Sequence, residues 1–266
     1  MIQLAISGAA GRMGQRLIGL AGEDARFTLV AALEAAGHPA LGRDAGETAG
    51  MPKTGVPILD RIEADFDVLV DFSLPAGTLR ALDVCLRFKR PLVIGTTGHT
   101  PEQLETIRTA ATTIPLLKAP NMSVGVNVLF RIAGQVAAAL GEAYDIEIVE
   151  SHHRFKKDAP SGTALELLNR ICRATGRNAA EDVVYGRRGD TVDRPPRQIG
   201  MHALRVGDTV GEHEVHFGCL GETVVLRHVA HTRDTFVRGA LRAAAWLITQ
   251  PPGFYTMQDV LFGRTD

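Results

Sequence analysis

The tightest constraint on this chain is a glycine triplet set between a strand and a helix. Ile2 to Ser7 reads as a short buried strand. Gly8-Ala9-Ala10-Gly11-Arg12-Met13-Gly14 follows at once, and Gln15 to Ala21 then has helical periodicity. Gly-x-x-Gly-x-x-Gly is a spacing variant of the dinucleotide fingerprint. Its glycines allow the tight turn, the close approach of backbone to a pyrophosphate, and tight packing of helix on strand. A second strand, Phe27 to Leu33, ends in Glu34, twenty residues past Gly14 (34 − 14). An acid at that position meets an adenosine ribose. A Gly-rich turn without a ligand is the plainer alternative, but it leaves both the flanking elements and the acid unexplained.

The first half continues as strands alternating with helices, the mark of a doubly wound parallel sheet. Asp67 to Asp71, Pro91 to Ile94 and Ile114 to Lys118 are strands, with helices over Ala76 to Arg87 and from Pro101 onward. His38 to Pro57, rich in Gly and Pro, reads as an irregular excursion. Ligands bind at the carboxyl ends of such strands. Glu34, Phe72, Gly95 to Thr97 and Ala119 to Met122 fall there.

Val124 to Leu140 is a long helix, and the pattern then changes. Ile146 to Val149 leads into Glu150-Ser151-His152-His153-Arg154-Phe155-Lys156-Lys157-Asp158-Ala159-Pro160-Ser161-Gly162-Thr163-Ala164. The order is strand, basic loop, helix start. A helix N-terminus offers unpaired N–H groups and a favourable dipole to an anion. Histidines and lysines beside it suggest an anionic substrate and proton transfer. A solvated basic turn with Ser161 as a plain N-cap is the competing reading. Asn178 to Pro196 reads as a polar loop. Gln198 to Val206, Thr209 to Cys219 and Thr223 to Ala230 read as strands of a mixed or antiparallel sheet. Asp234 to Ile248 is a helix whose tail is expected to return to the first domain. His213 with His216, and His228 with His231, lie three apart, so each pair straddles a strand. They are read as surface or sheet histidines, with no metal site.

Composition narrows the function classes. A net charge of −1 gives no footprint for nucleic acid. Three distant cysteines, Cys85, Cys172 and Cys219, make neither a disulfide framework nor a zinc spacing. No signal peptide and no apolar run of spanning length are visible, so a cytoplasmic protein is expected.

The chain resembles the dihydrodipicolinate reductase family over essentially its whole length. The marks are the glycine loop, Val70-Asp71-Phe72-Ser73, Val93-Ile94-Gly95-Thr96-Thr97-Gly98, Asn121-Met122-Ser123-Val124-Gly125-Val126-Asn127, the 150–164 loop and Val210-Gly211-Glu212-His213. The resemblance implies an α/β protein. Its Rossmann-type doubly wound parallel sheet spans 1–123 plus 234–266. A second α+β domain on a mixed sheet, 124–233, serves substrate binding and oligomerisation. It implies reduction of a cyclic dicarboxylate by NADH or NADPH with loss of water, in lysine and diaminopimelate biosynthesis, by a homotetramer. Carried over by position, His152 is a proton donor/acceptor and Lys156 a proton donor. His153, Gly162 and Thr163 hold the substrate. Gly8, Ala9, Ala10, Gly11, Arg12, Met13, Glu34, Gly95, Thr96, Thr97, Ala119, Pro120, Asn121 and Met122 contact the cofactor. The alternatives are another two-domain imine-reducing or amino-acid dehydrogenase, which needs a different 150–164 loop, and a non-catalytic nucleotide-sensing module, which predicts a substituted His152 or Lys156.

On cofactor choice the chain departs from relatives with Arg directly after the acid. Ala35, Ala36 and Gly37 follow Glu34, and Leu74 stands where some relatives are basic. Glu34 favours a free ribose hydroxyl and repels a 2′-phosphate. The expectation is a preference for NADH with NADPH still usable, and Arg43 and Lys53 as the remaining cations able to swing in.

Overall fold

In the computed structural model, which describes residues 1–189 and 193–264, the apolar runs of the first half become a parallel sheet. The chain divides into two compact units, Met1–Val124 with Asp234–Asp266, and Gly125–Arg233.

In the first unit the elements run β1 (Ile2–Ser7), α1 (Arg12–Gly22), β2 (Phe27–Leu33), α2 (Ala45–Thr48), β3 (Ile58–Leu59), β4 (Val68–Asp71), α3 (Pro75–Phe88), β5 (Leu92–Ile94), α4 (Pro101–Ala110) and β6 (Pro115–Lys118). The seven strands lie in the order β12-β6-β5-β4-β1-β2-β3, where β12 is Gly253–Tyr255. Every pairing is parallel. Alternate residues feed two cores, because side chains leave a strand on alternate faces. Leu4, Ile6, Val68 and Val70 join one core with Leu17 and Ile18 of α1. Ala5, Leu69, Leu92 and Ile94 join the other with Leu82 of α3 and Ile107 of α4. A sheet buried on both faces reads as continuous apolar runs, as these strands do. The first core is completed by α7 (Asp234–Leu247) and α8 (Met257–Phe262), from the end of the chain. Val237, Leu241 and Leu247 of α7 are buried there.

The second unit holds α5 (Val124–Leu140, whose first residue belongs to the other unit), β7 (Asp145–His152), α6 (Gly162–Thr175), β8 (Val183–Tyr185), β9 (Ile199–Arg205), β10 (Gly211–Cys219) and β11 (Glu222–Ala230). Its sheet is mixed, in the order β11-β10-β7-β9-β8. β10 runs antiparallel to β7 and β11, while β9 runs parallel to β7 and β8. One face packs on α5 and α6 through Ile146, Ile148, Val215 and Phe217 against Phe130 and Leu167.

Several sequence expectations need correction. The irregular excursion contains α2, capped by the buried Asp44, which accepts N–H groups from Glu47, Thr54 and Gly55. The polar loop of 178–196 contains β8, too short for a periodicity signal; its residues 190–192 lie outside the described residues. β12 was hidden behind Pro251 and Pro252. Finally, Val124–Ala143 is long and apolar enough to cross a membrane by length and composition. One side of it packs in the core: Val126, Leu129, Phe130, Ala133 and Ala137 are buried with residues of α6 and the sheet.

Candidate active site

In the first unit the glycine loop leads from β1 into α1 and lies against the end of β4, where the strand order reverses. Gly8 has φ +79°, and a Cβ there would lie 2.7 Å from the Phe72 carbonyl oxygen. A Cβ on Gly14 would lie 2.0 Å from the Gly8 carbonyl oxygen. Both contacts are backbone, so neither can yield by a side-chain movement. Gly11 N-caps α1 without a side chain to bond the first-turn N–H groups. Those groups are what an anion at a helix start requires.

Glu34 lines the same cleft, of about 460 Å³, with Gly8, Gly11, Ala35, Phe72 and Leu74. Its carboxylate is anchored on backbone: Oε1 accepts the Ala10 N–H at 3.0 Å and Oε2 the Ala35 N–H at 3.0 Å. Arg61 and Arg80 also line the cleft, and Arg43 and Lys53 do not. Beneath it the fully buried Asp71 accepts hydroxyls from Ser73, Thr78 and Thr96, tying the loop after β4 to the loop after β5. The next loop follows by the Ala119 N–H donating to the Ile94 carbonyl at 3.3 Å. Of the other cofactor candidates, Ala9 and Met122 are buried, while Arg12, Thr97 and Pro120 are exposed. The loops that fit a dinucleotide therefore gather at the carboxyl ends of β1, β2, β4, β5 and β6.

In the second unit the core layers of the sheet turn ionic at one end. Along β7 the inward row reads Ile146, Ile148, Glu150, His152. Ile148 faces Val215 on β10 and Met201 on β9. One step on, Glu150 faces His213, and His152 then faces Arg205. Glu150, with no exposed surface, accepts His152 Nδ1–H at 2.6 Å, two Arg205 guanidinium N–H groups at 2.8 Å and the Ser161 N–H at 3.0 Å. Burial alone would raise the Glu150 pKa. The bonds from His152 and Arg205 outweigh it and hold the carboxyl at about 2.

His152 is thereby fixed through Nδ1, leaving Nε2 for other partners. A Cβ on Gly211 would lie 3.1 Å from that Nε2, so glycine keeps the nitrogen uncrowded. His213 packs edge-on against His152 with ring centroids 5.2 Å apart, and its Nε2 lies 3.1 Å from Ser161 Oγ. Burial, then the neighbouring His152, pushes the His213 pKa down to about 3. Ser161 N-caps α6 by accepting the Ala164 N–H, so Gly162 and Thr163 open the helix as expected. A Cβ on Gly162 would meet nothing within 4 Å, so its backbone borders open space. Lys156 Nζ pairs with Asp158 at 2.9 Å. His153 packs at 6.3 Å from the exposed Phe155 ring, and its buried Nδ1 has no partner among the described residues.

Glu150, Arg205 and His213 are the residues that the motif reading missed as parts of the site. His213 is a sheet histidine, on β10 and 3% exposed, and not a surface one; what the sequence reading lacked is its place in the site. Strand alternation could have put Glu150 beside His152. Only the register of β9 and β10 against β7 brings in the others. Among the described residues no group of three His, Cys, Asp or Glu could hold a metal.

Comparison with known proteins gives two family models that together span the chain: "Dihydrodipicolinate reductase, N-terminus" over residues 2–122 and "Dihydrodipicolinate reductase, C-terminus" over residues 125–261. A relative from Citrifermentans bemidjiense named 4-hydroxy-tetrahydrodipicolinate reductase is 48% identical over 98% of this chain and 99% of its own. One of the same name from Syntrophus aciditrophicus is 46% identical over 100% of both. The solved dipicolinate-bound dihydrodipicolinate reductase from Paenisporosarcina sp. TG-14 superposes with a TM-score of 0.77 at 26% identity, covering 97% of this chain and 98% of that one.

Proposed function

The chain belongs to the dihydrodipicolinate reductase family, and we propose that it reduces 4-hydroxy-tetrahydrodipicolinate to tetrahydrodipicolinate with NADH or NADPH and loss of water, in lysine and diaminopimelate biosynthesis. The observation that carries the reading is the anchored His152 beside a basic loop and the start of α6.

The residues of the glycine loop fit a dinucleotide, since side chains at Gly8 and Gly14 would strike backbone and force open the tight turn that a pyrophosphate cradle needs. The bound nicotinamide supplies the hydride. The protein's own groups manage charge and protons. Glu150 holds His152 by Nδ1, so a proton enters or leaves at Nε2. Lys156 gives up its pairing with Asp158, stabilises the electron density left on the substrate, and then donates a proton. His153 and the first N–H groups of α6, at Gly162 and Thr163, hold the two carboxylates.

The cofactor preference is for NADH, with NADPH accepted. Glu34 brings a negative charge to the cleft, and no cation follows it. The protein works in the cytoplasm as a homotetramer. The face of its mixed sheet away from α5 and α6 supports assembly, with Val225 45% exposed on it and Glu147 paired to Arg187 and Arg194. Light scattering should give four times 28.5 kDa; a monomer mass at micromolar concentration removes the tetramer. The activity is tested by following NADH oxidation with substrate made in place by the upstream synthase reaction. A chain that binds NADH but leaves it unoxidised under those conditions removes the reaction.

A further inference from the structure

The adenosine end of the cleft contains a cation that residues adjacent to the acid do not reveal. Arg80 lies on α3, 46 positions after Glu34 (80 − 34), yet lines the same cleft as Glu34 and Ala35. Helical side chains lean toward the N-terminus of their helix. Accordingly the Arg80 guanidinium lies back over Gly77, and a Cβ on Gly77 would come within 3.6 Å of Nη2. Ala76, Ala81 and Val84 form the apolar wall beside it. The cleft also holds Arg61, but that guanidinium is committed. Its Nη2 lies 2.8 Å from Glu63 and its Nη1 3.7 Å from Asp60, and 71% of its side chain is exposed. Arg80 has no carboxylate partner among the described residues.

Two further features make the cleft tolerant of a phosphate. Glu34 has both oxygens on backbone N–H groups, so part of its charge is already answered. Arg80, itself exposed, springs from the helix α3 rather than from a loop, so its backbone is already ordered and only its side chain has to be fixed on binding.

We propose that Arg80 is the specificity-determining residue for the phosphorylated cofactor, taking the 2′-phosphate of NADPH from α3 in place of a cation after Glu34. The inference rests on the proposed use of a nicotinamide dinucleotide and goes beyond it by naming the residue that lets the second cofactor in. A guanidinium offers a planar fork to phosphate oxygens, which an ammonium cannot match.

The test is calorimetric binding to the purified full chain, with no substrate present. The probes are NADH, NADPH, AMP and adenosine 2′,5′-bisphosphate. In Arg80→Ala, affinity for NADPH and for the bisphosphate should fall by about tenfold to a hundredfold, the loss of one charge-assisted contact. Affinity for NADH and AMP should stay within about twofold. Arg80→Lys should restore part of the NADPH affinity, and Arg61→Ala should change the NADPH to NADH ratio by less than Arg80→Ala. Equal losses for both dinucleotides, an unchanged ratio, or a larger effect of Arg61→Ala overturns the assignment. A wild-type chain that binds neither dinucleotide sinks the functional reading itself, a result distinct from an unchanged ratio.

Discussion

In the glycine loop of the first unit, shape depends on side chains that are missing: Gly8 and Gly14 leave room that two carbonyl oxygens already occupy. At the end of β7 in the second unit, shape depends on side chains that are present and charged. Glu150 alone gathers His152, Arg205 and Ser161. A backbone cradle suits a cofactor whose phosphates need many N–H donors and little proton traffic. A charged network suits a reaction in which protons must move. The contrast implies different failure modes. The cradle should be intolerant of one added carbon, and the network intolerant of changed charge or pH.

The largest expected effect comes from the charged region. Lys156→Ala should lower kcat by about 10²–10⁴, the usual cost of removing a general acid. Calorimetric affinity for NADH should be nearly unchanged. A variant with near-full kcat removes Lys156 from the proton-donor role, and a parallel loss of NADH binding breaks the separation between the two regions. For the cradle the corresponding test is Gly14→Ala. The new carbon meets the Gly8 carbonyl, so the loop must shift. Backbone strain of roughly 1–3 kcal/mol corresponds to about a fivefold to 150-fold loss of NADH affinity. Melting of β7 and β10, followed by hydrogen exchange, should not move with it. Unaltered NADH affinity would show that the loop does not hold the pyrophosphate.

The two regions also differ in how far the sequence reveals them. Gly8, Gly14 and Glu34 stand at offsets set by local geometry, so two strands and the helix between them suffice to read them. The doubly wound order follows equally from alternation, since β1, β4, β5 and β6 are short apolar runs between helices. His152 and Lys156 are visible because they crowd one loop. Arg205 and His213 are not, because they join His152 through strand register 53 and 61 positions away (205 − 152, 213 − 152). Pairing partners are chosen by the whole sheet, and no local periodicity encodes them. Arg80 escapes for the same reason: a helix from another crossover carries it to the cleft.

A milder change sharpens the claim that α6 contributes backbone donors. Gly162→Pro deletes the N–H at the first position of the helix, where proline's fixed φ is already suitable. Ser161 precedes it in extended conformation, φ −66° and ψ 154°, as a residue before proline requires. A side chain there meets open space. The helix should survive, and KM for the dicarboxylate should rise by roughly tenfold for one lost charge-assisted bond. KM for NADH should change by less than twofold. Equal changes in both would show a disturbed loop rather than a lost donor.

The last expected effect is on stability in acid, and it should be confined to the charged region. His213 is buried neutral, its pKa pushed from 6.5 to about 3 by burial and then by His152, with Glu150 acting in the opposite sense. Lys156 and His228 also bear on it, and both oppose protonation. Between those two values the unfolded chain takes up a proton that the folded chain refuses. Stability from this group is therefore complete above about pH 6.5 and is lost as pH falls toward 3. Glu150 contributes in the same direction but lower. Its carboxyl titrates at about 2 when folded against 4.5 when free, so its share is lost only below about pH 4.5. Hydrogen exchange, corrected for intrinsic rate, can separate the two on peptides from β7 and β10. From pH 7.5 to about pH 5 the wild type should lose protection there, by at most about 1.4 kcal/mol per pH unit from one proton. His213→Asn should lose less over the same interval. Peptides from β1 and β4, which flank the glycine loop, should respond alike in both proteins. Parallel declines in β7 and β10 for wild type and variant would show that His213 is not the acid-sensitive group, and a matching change in β1 and β4 would end the distinction between a backbone cradle and a charged network.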